Sequence, residues 1–137
     1  MTSPGAGEVS DRPDTAPVVP AMYSVQILRK RSDFLRAAHA RRQGMPAFML
    51  QARQRAPDEA IGIRVGFTCS KKVGNAVARN RAKRRLREVA RAVLPIHGRP
   101  GWDYVLIGRR DTTATRDLAR MQDDLRRALA KVHGNST

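Results

Sequence analysis

The sequence contains a single cysteine, Cys69, among its 137 residues. One cysteine can neither form an internal disulfide nor supply the cysteine cluster of a structural zinc site. This usage is typical of a reducing compartment, so we expect a cytoplasmic location. The sequence also lacks an apolar run of the ~20 residues that span a bilayer, and its N-terminus lacks the pattern of a signal peptide.

Acidic residues are scarce. Twelve Asp and Glu stand against 27 Lys and Arg, which gives a net charge of +15. An excess of this size attracts phosphate-rich partners or anionic membranes. Arg supplies 22 of the 27 basic residues, and its planar guanidinium pairs with two phosphate oxygens and stacks on bases. The composition therefore favours a nucleic acid partner, although an Arg-rich genome would contribute to the same bias.

Residue types that carry out catalysis are few and scattered. His39, His97 and His133 show no mutual spacing that suggests an acid–base pair. The carboxylates do not form the cluster that two-metal hydrolysis requires. We therefore predict no catalytic residue and no metal site on this polypeptide, and an independent enzyme is disfavoured.

The first 22 residues differ in composition from the rest of the chain. They are rich in Pro, Ala, Gly and Ser, contain no aromatic residue and carry a net charge of −2, which leaves +17 for residues 23–137. This composition is typical of disorder. We predict a disordered tail over 1–22 and one domain over 23–133, with Met22 as an alternative start.

The first half of the predicted domain shows one helix and two strands. Ser32 is a candidate N-cap for a short helix that ends before Gly44. A strand is predicted over residues 47–53. A second is predicted over residues 61–69, where apolar and other residues alternate with a period of two.

The second half is predicted to be helix, strand and helix. Asn75 can cap a helix that we expect to end before Pro95. An apolar strand follows over residues 103–108, and the last helix is predicted over 115–132 with Thr115 as its cap. The order α-β-β-α-β-α predicts an α+β fold in which helices cover a small sheet.

The segment 71–91 concentrates positive charge, with nine Lys and Arg against Glu88. Apolar residues fall on one face of the predicted helix and basic residues on the other. A solvated face would use Glu–Lys pairs four residues apart, whereas here like charges recur at that spacing and cations lie at the helix start, where the helix dipole disfavours them. A bound phosphate would relieve this repulsion. Membrane binding is disfavoured because the apolar face is mostly Ala and Val.

Asn80 interrupts the arginines of this helix. Asn is a mediocre residue for a helix interior because its amide competes for backbone hydrogen bonds. It could simply face water or act as a cap. Beside Arg79 and Arg81 its donor and acceptor could instead read a base edge, a 2′-hydroxyl or a metal-bound water.

Residues 64–91, RVGFTCSKKVGNAVARNRAKRRLREVAR, carry a long motif. The stretch closely resembles the bacterial ribonuclease P protein subunit of the alphaproteobacterial type. In that family a strand ends in Ser-Lys-Lys and is followed by Gly-Asn-Ala-Val and an Arg-Asn-Arg helix. Weaker agreement extends from about residue 28 to residue 132.

The resemblance implies both a fold and a function. The fold would be α+β: a small mixed sheet with three helices in a ribosomal-protein-like two-layer sandwich, with a left-handed βαβ crossover where general statistics favour a right-handed one. The function would be that of an accessory subunit that binds the catalytic RNA and the 5′ leader of precursor tRNA. It would assist Mg²⁺-dependent leader removal, with the chemistry and most of the Mg²⁺ on the RNA, in a one-to-one ribonucleoprotein.

Site residues are transferred position by position from the same resemblance. Phe34, Phe48, Lys30 and Arg31 would form the leader cleft, and Ala38 stands where the family usually has a second aromatic. The residues that would bind the catalytic RNA are Lys71, Lys72, Asn75, Arg79, Asn80, Arg81, Lys83, Arg84 and Arg87. The alternative is a general RNA-binding or ribosomal-type protein with no role in cleavage, which accounts for the charge but not for the motif.

Overall fold

The computed structural model describes residues 25–57, 59 and 62–134. The predicted tail over 1–22 lies outside these ranges. So does Ile61, the first residue of the strand predicted over 61–69. The elements, in chain order, are β1 Val25–Ile27, α1 Arg31–Ala38, β2 Arg41–Gly44, β3 Phe48–Gln54, β4 Ile63–Cys69, α2 Ala76–His97, β5 Trp102–Gly108, α3 Thr112–Thr115 and α4 Leu118–Val132.

The five strands form one mixed sheet in the order β1-β4-β5-β3-β2. The pairs β1–β4 and β4–β5 are parallel, whereas β3–β5 and β2–β3 are antiparallel. Because β4 and β5 are parallel neighbours joined by α2, they form a βαβ crossover. The predicted α+β class with a small mixed sheet is confirmed, and the left hand of the crossover stays a prediction.

Helices lie on both faces of the sheet. The larger core joins one sheet face to α2 and α4 and includes Phe48, Leu50, Tyr104 and Leu106, each fully buried. A smaller cluster on the opposite face joins Leu28, Ala37 and Val105 with the half-buried Phe34. The helices are thus divided, with the long α2 and α4 in one layer and the short α1 on the other face.

Two strands were not predicted, because neither shows a recognisable pattern. β1 has only three residues and pairs with β4 at the edge of the sheet. β2 reads RRQG, is mostly exposed, and is a strand only because it pairs with β3. Pairing with a neighbouring strand, rather than alternation in their own residues, determines both strands.

Three of the predicted helix ends differ from the observed ones. Ser32 is not the cap of α1, since the helix begins at Arg31 after Lys30. Thr115 ends the short α3, and Asp117 caps α4 by accepting from the Arg120 N–H at 3.2 Å. Pro95 lies inside α2, which continues to His97. Pro95 lies in the last turn, so its missing N–H removes only one bond near the helix end.

The carboxylate of Asp103 is the most highly connected charged group of the described fold. It lies on the central strand β5, is fully buried, and accepts from Arg55 Nη1 at 2.6 Å and from Arg64 Nε and Nη2 at 2.7 and 2.8 Å. Arg53 Nη1 lies 3.4 Å from its second oxygen. Arg64 also faces Asp33 of α1 at 3.6 Å, and these acids raise its pKa, led by the Asp103 hydrogen bonds. One acid therefore links β3, β4, β5 and α1.

Asp103→Asn should lower the free energy of unfolding by about 3–5 kcal/mol, because it leaves buried guanidinium groups without their counterion. Urea denaturation measures the change. The exposed Asp123, which pairs with Arg126 three residues along α4, is the control, and Asp123→Asn should cost less than about 1 kcal/mol. Equal effects of the two substitutions would contradict the role given to Asp103.

A second cluster attaches the end of α4 to the sheet. The Tyr104 hydroxyl accepts from the Arg99 backbone N–H at 3.0 Å and lies 2.7 Å from Nε2 of His133. The His133 ring packs edge-on against Trp102, with the centroids 4.4 Å apart. Burial, with Arg99 and Arg41 nearby, lowers the pKa of His133 to about 4. His133 is therefore neutral in the folded protein near pH 7.

Because the unfolded chain protonates His133 near pH 6.5 and the folded chain only near pH 4, acidification favours the unfolded state. The free energy of unfolding should therefore fall as the pH drops from about 6.5 to about 4. The fall should be smaller in His133→Gln, which cannot be protonated. Urea midpoints at pH 7, 5.5 and 4 measure it. His39→Gln, at an exposed histidine, should behave like the wild type; the same change in both variants would refute the assignment.

Candidate RNA-binding surfaces

The turn between β4 and α2 explains much of the Ser-Lys-Lys-Val-Gly-Asn motif. The Ser70 hydroxyl accepts from the Lys72 N–H at 3.3 Å and begins a single 3₁₀ turn over Lys71–Val73. Gly74 has φ +140°, and a Cβ there would lie 2.9 Å from the Cβ of Ala78, so glycine is required. Asn75 then caps α2, with Oδ1 accepting from the Ala78 N–H at 3.0 Å. The predicted cap is confirmed.

α2 presents an apolar side to the core and a basic side to solvent. Its buried residues are Ala82, Leu86, Val89, Ala90, Val93 and Leu94. Among the residues predicted to bind RNA, Lys71, Lys72, Asn75, Asn80, Arg81, Arg84 and Arg87 are exposed, and Arg79 and Lys83 are half-buried. The structure thus brings all nine predicted residues together along the N-terminal turns of α2 and the turn before it. We call this set the basic face.

The cations of the basic face have no acidic partners in the described part of the chain. The ion pairs that are present join other arginines to Asp33, Glu59, Asp103, Asp111, Asp123 and Asp124. The positive potential of the basic face is therefore uncompensated, and it adds to the positive end of the α2 dipole. A surface with these properties binds polyanions.

Arg85 lies on the same helix but has a structural role. Its Nε donates to the Thr113 carbonyl at 2.8 Å, and its Nη2 donates to the Arg116 carbonyl. These bonds hold the segment around α3 against α2. Arg85 therefore differs from its neighbour Arg84, which points to solvent.

A cleft of about 440 Å³ lies between α1 and the sheet. Its size is within the range of ~300–1,000 Å³ that is typical of ligand sites. The Phe34 side chain extends from α1 to the sheet, where a Cβ on Gly66 would lie only 2.5 Å from its Cζ. The absence of a side chain at Gly66 is what lets the ring lie against the sheet. The cleft is lined by Arg29, Arg31, Phe34, Leu35, Ala38, Gln51, Phe67, Thr68, Val105 and Ile107.

The residues predicted for the leader cleft are only partly brought together. Phe34 and Arg31 line the cleft, and Lys30 is exposed beside them at the start of α1 without lining it. Phe48 is placed elsewhere: it is fully buried in the core on the opposite face of the sheet. In β3 the side chains alternate between faces, so the residue that reaches the cleft is Gln51, three positions after Phe48.

Sequence reasoning missed Arg29, Gln51 and Thr68 as cleft residues. The alternation of β3 carried a usable signal for Gln51, since Phe48 and Leu50 are apolar and share one face. The pattern does not show which face of the sheet α1 covers. That information comes only from the tertiary structure.

The cleft and the basic face meet at the edge of β4. Phe67 lines the cleft, and the guanidinium carbon of Arg87 lies 5.6 Å from the centroid of its ring. This is the distance of a cation–π contact. β1 pairs only with Ile63–Val65, so the end of β4 is left uncovered there. The two surfaces are therefore continuous around one strand edge.

In the described part of the chain, no three His, Cys, Asp or Glu side chains lie close enough together to hold a metal ion. No helix there combines the length and apolar character needed to cross a bilayer. Chemically, the two surfaces offer cations, an exposed amide and apolar rings. These are groups for holding an RNA strand rather than for cutting it.

Comparison with known proteins decides the family. The sequence model of the family Ribonuclease P matches residues 22–133. The chain belongs to the ribonuclease P protein family. It is 70% identical over 113 residues to the ribonuclease P protein component of Ruegeria pomeroyi, covering 82% of this chain and 90% of that protein. The corresponding protein of Caulobacter vibrioides is 54% identical over 113 residues, with 82% of this chain and 74% of that protein covered.

Solved structures of the family share this fold. The RNase P protein of Staphylococcus aureus is 26% identical, with a TM-score of 0.60, and the match covers 77% of this chain and 93% of that one. The RNase P protein from Thermotoga maritima is 25% identical with a TM-score of 0.59, covering 77% and 96%. The chain is a protein subunit of ribonuclease P, an RNA-binding component of a tRNA-processing ribonucleoprotein. The predicted family and its alphaproteobacterial type are confirmed.

Arg81→Ala should weaken binding to ribonuclease P RNA several-fold and reduce the slope of log affinity against log salt by about one, because one phosphate contact is lost. Filter binding at salt concentrations from about 50 to about 400 mM, which bracket physiological ionic strength, measures the affinity and the slope. Arg126→Ala, at an exposed arginine of α4, should change neither. A slope that Arg81→Ala leaves unchanged would contradict a phosphate contact at Arg81.

Proposed function

We propose that the basic face docks this subunit on the catalytic RNA of ribonuclease P, and that the cleft holds the single-stranded 5′ leader of precursor tRNA. The chemistry, hydrolysis of the phosphodiester at the mature 5′ end, would then take place on the RNA. Mg²⁺ would be held mostly by the RNA. The complex would contain one copy of each subunit and act in the cytoplasm.

The observation that carries the docking half of the proposal is the set of unpaired cations on the basic face. Acids elsewhere in the described structure, such as Asp103 and Asp124, are paired with arginines, whereas Arg79, Arg81 and Arg84 have no acidic partner. A folded RNA supplies phosphates over a surface as wide as the basic face. The exposed amide of Asn80, among these cations, can add a contact to a base edge or a 2′-hydroxyl.

The leader half rests on the composition of the cleft. Apolar side chains from β5, Val105 and Ile107, form the floor, and Phe34 forms a wall. Arg29 and Arg31 lie at the rim, where they can pair with phosphates. An apolar floor with a cationic rim suits a single strand, whose bases turn inward and whose phosphates stay outside. A duplex would keep its bases stacked on each other.

A direct test mixes the full chain with a bacterial ribonuclease P RNA at low Mg²⁺ and measures removal of the leader from precursor tRNA. Stimulation by the protein supports the proposal. The alternative, a general RNA-binding protein with no role in cleavage, would instead bind unrelated RNAs equally well and leave the cleavage rate unchanged.

Arg31→Ala should lower the affinity of the reconstituted complex for precursor tRNA by roughly three- to tenfold, since one charged contact to the leader is lost. Affinity for mature tRNA, which has no leader, should not change. Competition binding with the two RNAs gives both values. Phe34→Leu keeps an apolar group against Gly66 and removes the aromatic face, so it should act in the same direction.

Arg126→Ala is the matched control, because Arg126 lies on α4, which packs on the other face of the sheet. If Arg31→Ala and Phe34→Leu weaken the binding of mature and precursor tRNA equally, the cleft does not hold the leader.

A further inference from the structure

A second groove, of about 390 Å³, lies between β1 and α2, on the face of the sheet opposite to the cleft. Strand residues that include Ile27, Val65 and Phe67 form its floor. Ala90 of α2 lines one wall, and Arg91 lies beside it on the same helix. We call this space the β1 groove. It is apolar at its floor and cationic along one side.

The β1 groove exists because α2 does not extend over the edge strand. Ile27 of β1 is paired with Val65 of β4, so the two side chains point to the same face of the sheet. Val65 is 1% exposed in the core under α2, whereas Ile27 is 45% exposed. The apolar face of the sheet therefore continues for one strand beyond the layer of helices and is accessible there.

The surroundings of Ile27 distinguish it from other exposed apolar residues. A single exposed apolar side chain is ordinary. Ile96 of α2, for example, is 50% exposed and does not line the β1 groove. Ile27 instead lies in a concave space with other apolar side chains and with arginines at its border, which is the pattern of an interaction site. The groove therefore indicates a partner with an apolar part.

The charges beside the groove restrict the kind of partner. Arg87 and Arg91 are four residues apart on α2, a spacing at which like charges repel. Neither forms an ion pair with an acid of the described residues, in which the acids pair with other arginines. A second copy of this chain would bring a net charge of +15 and would be repelled. The groove therefore favours a partner that is partly apolar and also anionic.

The β1 groove is continuous with the basic face. Arg87 belongs to the basic face and also lines the groove. Its guanidinium carbon lies 5.6 Å from the centroid of the Phe67 ring, which is part of the groove floor. An RNA that binds along the basic face would therefore lie directly beside the groove.

We propose that the β1 groove holds an unpaired base of the catalytic RNA, turned out of its stack, while Arg91 pairs with a phosphate next to that base. A base has flat apolar faces and is linked to a charged backbone, so it matches an apolar floor with a cationic side. A phosphate alone would gain nothing from the apolar floor, and a regular duplex keeps its bases stacked inside. The inference rests on the docking half of the proposed function.

The test uses the full chain and a bacterial ribonuclease P RNA without tRNA. Ile27→Val and Ile27→Thr give side chains of nearly the same shape that differ by a hydroxyl, and both keep the branched Cβ that suits a strand. Ile27→Val should bind the RNA within about twofold of the wild type, whereas Ile27→Thr should bind about fivefold more weakly, the low end of what one base contact contributes. The salt slope should stay the same, because no phosphate contact is lost.

Ile96→Thr is the matched control, because it makes the same change at an isoleucine of similar exposure outside the groove. It should bind the RNA as the wild type does. Equal losses in Ile96→Thr and Ile27→Thr would overturn the proposal, as would equal affinities of Ile27→Thr and Ile27→Val.

Arg91→Ala tests the phosphate contact at a residue that is exposed and outside the core, so this variant is expected to fold even if Ile27→Thr does not. It should weaken RNA binding several-fold and reduce the salt slope by about one. The two kinds of variant should therefore differ, with a change of slope in Arg91→Ala and none in Ile27→Thr. An unchanged slope in Arg91→Ala would overturn the proposed arrangement.

Chemical probing identifies the occupant. Dimethyl sulfate and a carbodiimide modify unpaired bases, and the wild-type protein should protect at least one such base of the RNA. That base should regain its reactivity with Ile27→Thr and stay protected with Ile96→Thr. A loss of affinity without any change in base reactivity would mean that the groove acts through another occupant, such as a second copy or the first residues of this chain, and would overturn the proposal.

Failure of this inference and failure of the proposed function give different results. If Arg81→Ala weakens binding to the RNA while Ile27→Thr binds as the wild type does, the basic face docks the RNA and the β1 groove takes no base. If neither substitution changes the affinity or the salt slope, both the docking on the basic face and the role of the groove are overturned.

Discussion

The buried carboxylate of Asp103 is the interaction on which the arrangement of the described fold depends. It joins Arg53 and Arg55 at the end of β3 to Arg64 of β4, and Arg64 in turn faces Asp33 of α1. Burying such charges costs desolvation that ion pairing only partly offsets. The effect of the network is geometric: through the ion pair of Arg64 and Asp33 it ties α1 to the sheet. The core of Phe48, Leu50 and Tyr104, by contrast, packs the other face.

Acidic residues are distributed so that one surface of the protein stays positive. With only 12 acids in the chain, those at Asp33, Asp103 and Asp124 are buried and paired with arginines that fasten the elements together. The basic face of α2 has none of them. Because the few acids pair with arginines that stabilise the fold, none is left to pair with the cations of α2. Phosphate is therefore the expected partner of α2. Structure and RNA binding are two consequences of one composition.

Prediction from sequence succeeded where the signal was local. The cap at Asn75, the apolar side of α2 and the strand over β4 follow from residues a few positions apart. It failed where the local residues carry no clear signal. β2 has no pattern of its own and exists through pairing with β3, and Pro95 was placed after a helix that in fact continues around it. Phe48 was assigned to the cleft by position in a motif, whereas the alternation of β3 buries it and turns Gln51 to the cleft.

The sequence by itself determined that this chain is a ribonuclease P protein with an uncompensated basic helix. The charges and the order of the motif residues can both be read directly from one continuous segment of the chain, residues 64–91. Only the tertiary structure decided which face of the sheet lies under α1. That choice depends on contacts between residues far apart in the chain, such as Phe34 against Gly66 and Arg64 against Asp33. It makes Gln51 a buried amide that opens on the cleft, and it joins the cleft to the basic face at Phe67 and Arg87.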